Sequence, residues 1–211
     1  MNKFESRREF LLNSGKVLGG AALLSAVAPL TKVVAEESYE HPYTYAKLDP
    51  EAVADLAYAR FSELGGCCVG VVAAIVESLA ATVGAPYTAF PVKMFQNGAA
   101  GYGINSLCGC LGGAAAVIGL VCPSADSKAL LKEVVDWYKT SELPNYDRGT
   151  PAIAKVVPGS PNCADSLGVF FQAAPQINYD MSNPDRINRC ACLTADVARK
   201  TAEVLNAKFG V

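Results

Sequence analysis

Residues 108–122 read CGCLGGAAAVIGLVC, a stretch without a single charge and built almost wholly from small and apolar residues. A helix that is apolar on every face has to be buried on every face, so this stretch predicts a central helix. Its glycines weaken helix propensity but let neighbouring backbones come close. Pro123-Ser124 closes it, and 125–140 follows as an amphipathic helix with Leu130, Leu131, Val134, Val135 and Trp137 on one face. Upstream, Asp49-Pro50 supplies an N-cap and an N1 proline for a helix over 51–64, stopped by Gly65-Gly66. A mostly apolar helix over 68–83 ends at Gly84, with Pro86 beyond. Residues 86–105 hold Pro91 and three glycines and predict a loop with a short helix at 92–96; 141–161 is a second Pro/Gly-rich loop. Asn162 caps a short helix through Phe171, a further loop follows to Asn188, and a last amphipathic helix covers 190–209. The fold class is therefore mostly α: a single compact multi-helix domain with long loops around a buried Gly/Ala-rich helix.

The chain has 211 residues and a formal charge of −2. Ser6-Arg7-Arg8-Glu9-Phe10-Leu11, the apolar run 17–30 and the small residues Val33-Val34-Ala35 read as a twin-arginine export signal with its cleavage site. The apolar run is shorter than the ~20 residues a spanning helix needs, so no membrane span is expected after cleavage. Three segments result: a signal over 1–35, an extended Tyr-rich arm over 36–48, and an α-helical cysteine-rich domain over 49–211. Cleavage removes Lys3, Arg7, Arg8, Lys16, Lys32, Glu5 and Glu9, which takes the charge from −2 to −5. No Lys/Arg-rich stretch remains, so nucleic acid is not an expected partner. The twin-arginine route carries folded proteins, often already loaded with a cofactor. An extracytoplasmic, periplasmic location follows.

Eight cysteines carry the chemistry. Cys67-Cys68, Cys108-Gly109-Cys110, Cys163 and Cys190-Ala191-Cys192 all fall at predicted helix starts, where free N–H groups and the helix dipole favour a thiolate. Residues two apart on a helix point about 200° away from each other, so each C-x-C pair shares one site only if its middle residue is non-helical. Cys122 lies roughly 21 Å along the helix from Cys108 and is the poorest ligand candidate; a buried core thiol suits it better. Other chemistries lack their parts. There is no C-x-x-C-H for covalent haem and no C-x-x-C. The one histidine, His41, stands in the polar arm, which leaves Cys/His zinc sites and Ser/His or Cys/His hydrolase machinery without a partner. The glycines of 98–103 form no dinucleotide fingerprint. What remains is thiolate-only ligation of iron–sulfur, zinc or copper(I), with a metal-free thiol/disulfide protein as the alternative.

At Cys108-Gly109-Cys110-Leu111-Gly112-Gly113 and the small apolar residues after it, the chain resembles the redox-active C_GCAxxG_C_C family, which has an early Cys, a CGAxxG helix and two later Cys. It is also similar to the non-haem part of the split-Soret cytochromes c. The likeness runs from about Cys68 to the C-terminal helix. By position it implies Cys68, Cys108, Cys163 and Cys192 as the metal ligands. Cys67, Cys110 and Cys190 are further candidates, and Cys110 stands where the family has Ala. The implied function is an exported electron-transfer protein that binds an iron–sulfur cluster, served by a redox partner protein and compatible with a homodimer. No stand-alone catalytic residues are implied. Covalent haem, which the split-Soret cytochromes carry, is not expected here.

Overall fold

The computed structural model describes residues 39–147 and 153–211. The stretch expected to be an export signal (1–35), the first three residues of the expected arm and the middle of the 141–161 loop lie outside the described residues. Among the described residues six α-helices carry the fold: α1 Pro50–Leu64, α2 Cys67–Val83, α3 Gly109–Val121, α4 Ser124–Thr140, α5 Cys163–Ala173 and α6 Pro184–Phe209. Among the described residues there is no β-strand, only two isolated antiparallel bridges, Leu107 with Asn162 and Leu143 with Val156. The mostly α class is borne out. No helix among the described residues is long and apolar enough to cross a membrane.

The starts and stops follow the local chemistry. Asp49 Oδ1 accepts from the Glu51 and Ala52 N–H groups, Pro50 sits at N1, and Gly65 ends α1 in the left-handed region at φ 89°. α3 is buried along most of its length, from Gly109 through Ala114 and again at Val117, Ile118 and Val121. It packs on α2, α4 and α6. The core between them holds Val72, Ile75, Leu79, Leu111, Ile118, Leu193 and Val197. Arg60 of α1 grips Glu77 of α2 with two parallel hydrogen bonds, Nε to Oε1 at 3.0 Å and Nη2 to Oε2 at 2.8 Å. Ahead of α1 the chain runs extended across the domain. Tyr43 N–H donates to Leu120 O, while Asn206 of α6 exchanges hydrogen bonds with the Leu48 backbone.

One helix differs from expectation. The last helix starts at Pro184, six residues before Cys190, with Asn183 as the capping residue accepting from Asp185 N–H. Asn183-Pro184-Asp185 is a cap, an N1 proline and a first-turn acid, and it places Cys190 and Cys192 in the second and third turns. They therefore lie past the first turn, where the dipole of α6 and its free N–H groups act. The 86–105 segment is also more helical than a loop. It holds short turns at Tyr87–Ala89 and Val92–Gly98 and a π turn at Gly101–Asn105.

The 141–147 segment is tied to α6 by Asp196, 3% exposed, which accepts from Asn145 N–H (2.6 Å), Tyr146 N–H (2.9 Å) and Arg199 (2.9 Å).

Two measurements check this packing. A Cβ at Gly113 would stand 2.7 Å from Cys68 O and 2.9 Å from Val71 Cβ, whereas one at Gly119 meets nothing within 4 Å. In urea titrations Gly113→Ala should cost about 1–3 kcal/mol by overpacking, and Gly119→Ala should gain roughly 0.5–1 kcal/mol as a helical Gly replaced by Ala. The second concerns pH. Burial raises the Asp196 carboxyl to about 6, against the pull of its backbone donors and Arg199. The folded state thus holds this proton more tightly than the unfolded chain, where an Asp titrates near ~3.9. Its contribution to stability is full below about pH 4 and is lost as pH rises through about 6. Lys155 and Arg199 oppose the shift and Cys192 faces the same carboxyl. Wild type should lose roughly 3 kcal/mol more than Asp196→Asn between those pH values; parallel profiles would exclude this role.

Candidate functional site

The starts of α2 and α3 meet backbone to backbone. Gly109 has no room for a side chain: a Cβ there would stand 2.3 Å from Gly98 O and 2.5 Å from Cys67 Sγ. Gly98 is equally tight, its missing Cβ falling 2.6 Å from Cys68 Sγ. The start of α5 is stitched to the start of α3 by the Leu107–Asn162 bridge, in which Cys108 N–H donates to Pro161 O (2.8 Å) and Cys163 N–H donates to Ser106 O (2.6 Å). Gly101 lies against Cys163, where a Cβ would come within 2.9 Å of the cysteine Cβ. Gly101 belongs to a left-handed run, with φ of 51° at Ala100, 58° at Gly101, 61° at Tyr102 and 74° at Gly103. Non-glycine residues in that region store strain that the surroundings must hold.

These contacts enclose a cavity of about 470 Å³. Five thiols line it: Cys67 from the first residue of α2, Cys108 and Cys110 from the start of α3, Cys163 from the first residue of α5, and Cys190 from α6. Arg186 and Arg189 reach it from α6, and half-exposed Met181 and Ile187 stand at its rim. Of the four ligands implied by resemblance, Cys108 and Cys163 are at the cavity. Cys68 and Cys192 are not part of its lining. Cys68 turns toward Gly98 and hydrogen-bonds Tyr102, and Cys192 points at Asn188 and packs with Ala54, Tyr146 and Ala195. The reason is rotational: adjacent helical residues diverge by about 100° and residues two apart by about 200°. Cys67 thus faces the cavity where Cys68 does not, and Cys190 where Cys192 does not. Cys108 and Cys110 both reach it because Cys108 is the N-cap of α3, with extended ψ of 127°. Cys122 caps the far end of α3 among Tyr45, Asp126 and Lys208.

All eight cysteines are free thiols. Cys108 and Cys110 Sγ are 3.3 Å apart. The hydrogen bond from Cys110 lowers the Cys108 thiol to about 6, helped by Tyr138 and the Arg189 guanidinium and opposed by burial. Burial pushes three of the other cavity thiols up, with negative charge on Cys108 adding to it: Cys163 to about 12, Cys67 and Cys110 well above the usual range. The helix-start advantage of Cys67 and Cys163 is thus outweighed by desolvation. The cavity readily holds one thiolate and resists more, unless something positive enters. Among the described residues no three Cys, His, Asp or Glu side chains stand close enough to grip a single metal ion; the thiols surround a volume instead. His41 is elsewhere, its Nε2 within 2.6 Å of Gly119 O.

Sequence reasoning missed Arg189, Ser166 and Tyr138. Arg189 is 1% exposed, and its Nη2 donates to Ser166 Oγ (2.7 Å), which also accepts from Tyr138 Oη (2.9 Å). The available signal was spacing: 189 precedes Leu193 and Val197 by four and eight residues, on the buried stripe of α6.

An all-helical domain that lines one cavity with thiols, and with no histidine or carboxylate among them, is a cysteine-site protein of the electron- or metal-handling class. The chain belongs to the C_GCAxxG_C_C family: residues 66–204 match the family described as "Putative redox-active protein (C_GCAxxG_C_C)". It is 30% identical over 168 residues to split-Soret cytochrome c of Desulfovibrio desulfuricans, covering 77% of this chain and 60% of that protein's length. It is also similar to a solved structure described as "A novel iron centre in the split-Soret cytochrome c from Desulfovibrio desulfuricans ATCC 27774". That match has a TM-score of 0.75 and 29% identity, covering 80% of this chain and 72% of the other.

The close approach at Gly109 has a direct test. Gly109→Ala should lose about 1–3 kcal/mol of stability and speed alkylation of Cys108 in the native, metal-free protein, read by mass spectrometry. Gly168→Ala on α5, with nothing within 4 Å of its Cβ, should do neither.

Proposed function

We propose that this protein is an exported electron carrier that holds an iron–sulfur cluster in the thiol-lined cavity. The observation that carries the reading is the donor set: five thiols from four helices around one volume, with no histidine or carboxylate among them. Sulfur-only donors spread around a space suit a multinuclear iron–sulfur cluster better than a single zinc or copper ion. The iron centre of the solved relative supports iron, and the Arg7-Arg8 stretch, read as an export signal, supports export after loading in the cytoplasm. The proposed ligands are Cys67, Cys108, Cys163 and Cys190, with Cys110 as a fifth thiol beside them. Bound there, the cluster supplies one-electron chemistry. The chain keeps water out with apolar walls and sets the charge around the sulfurs. Among the described residues the cavity lining holds no histidine or carboxylate to serve as general acid or base, which favours a carrier, working with a redox partner protein, over a stand-alone enzyme.

One observation favours a second reading, a metal-free thiol couple. Cys108 and Cys110 at 3.3 Å could close to a disulfide, releasing two electrons and two protons to an external two-electron acceptor.

Anaerobic purification separates the two. The cluster reading expects brown protein with iron and acid-labile sulfide. Cys67→Ser, Cys108→Ser, Cys163→Ser and Cys190→Ser should each lose most of the iron, while Cys122→Ser keeps it. Cys68→Ser and Cys192→Ser test the ligands implied by resemblance and should also keep it. Colourless, iron-free protein with a Cys108–Cys110 disulfide would replace the cluster reading with the second.

A further inference from the structure

We propose that Arg189 is the fixed counter-charge of this cavity: it holds an anionic thiolate cluster in place and sets its reduction potential. The inference rests on the cluster reading and adds to it the residue that compensates the charge.

Arg189 is buried, 1% exposed, and lines the cavity. A buried guanidinium normally pairs with a carboxylate, because removing its charge from water is expensive unless an anion answers it. Among the described residues none does. Its Nη2 donates to Ser166 Oγ at 2.7 Å and to Ser166 O at 3.3 Å, both neutral. Its Cζ lies over the Phe170 ring, 5.3 Å from the centroid. Its Nε, also buried, has no hydrogen-bond partner. The other groups facing it are the Cys108 and Cys190 thiols and the Tyr138 hydroxyl. The only anions its position can answer are therefore thiolates, or something bound by thiolates. Four thiolates on an iron–sulfur core leave the assembly negative, and Arg189 stands against two of the proposed ligands, Cys108 and Cys190.

Ser166 makes the placement rigid. Its Oγ accepts from Arg189 and from Tyr138, whose hydroxyl is 2.9 Å away, so α4, α5 and α6 meet at one hydroxyl. The guanidinium is held before any cluster arrives. That makes it an electrostatic device rather than a mobile surface cation, and the fixed positive charge favours the reduced, more negative state of the centre.

The test uses the full chain with and without iron and sulfide. Arg189→Met removes the charge and keeps a long apolar side chain; Arg189→Lys keeps the charge. Without metal, R189M should stay closer to wild type in melting temperature than it does when loaded, because only the single Cys108 thiolate then answers Arg189. On loading, wild type and R189K should gain stability, and R189M should gain less than half as much. At one ambient potential the reduced-to-oxidised ratio of loaded R189M should fall about tenfold, a shift of about 59 mV for one electron. R189Q takes the place of R189M if that variant does not fold. Equal gains in wild type and R189M, or an unmoved potential, overturn the proposal. Wild type that takes up no iron and gains nothing defeats the cluster reading itself, and the counter-charge role falls with it.

Discussion

Everything at the cavity depends on how closely the first turns of α2 and α3 approach each other. Gly98 and Gly109 touch there at distances no side chain allows, and Gly113 extends the contact one turn further. With ordinary residues at these positions the two helix starts would stand apart, and Cys67 would not share a space with Cys108 and Cys110. Glycine in a helix costs about 0.5–1 kcal/mol relative to alanine. Here that loss brings three thiols from two helices to one place, and the Leu107–Asn162 bridge adds Cys163.

The second constraint is charge. A thiolate at Cys108 repels the thiolate forms of Cys67, Cys110 and Cys163, and burial resists all three. The cavity's cations come from α6, as Arg186 and the fully buried Arg189. A pocket that resists losing more than one thiol proton, yet carries a buried guanidinium with no carboxylate partner, is balanced for an occupant that takes the place of the thiol protons and leaves a net negative charge. An iron–sulfur core does both, and a loss of two electrons to a Cys108–Cys110 disulfide leaves the Arg189 charge unanswered. The charge balance therefore favours the cluster over the thiol couple.

Much of the fold was legible because its signals are local. The uncharged 108–122 stretch announced a buried helix, and Asp49-Pro50 and Gly65-Gly66 bracketed α1 within a residue. The start of α6 was misplaced because the cysteines drew attention from Asn183-Pro184-Asp185, the stronger capping signal. The site was legible at the level of residue type, and Cys108 and Cys163 reach the cavity through helix-start geometry. Which member of each close pair faces inward was not legible. A one-residue difference in helix phase turns a side chain by about 100°, and sequence boundaries are not that sharp. Arg189 went unread for a different reason: a charged residue on an apolar stripe looks like a break in the pattern until its buried surroundings are seen.

Iron-edge X-ray absorption on anaerobically purified full-length protein tests the thiolate cluster most directly. A first shell made of sulfur alone, with a second iron scatterer beyond it, is the result expected from this cavity. A first shell of oxygen or nitrogen, or protein that contains no iron, would contradict it.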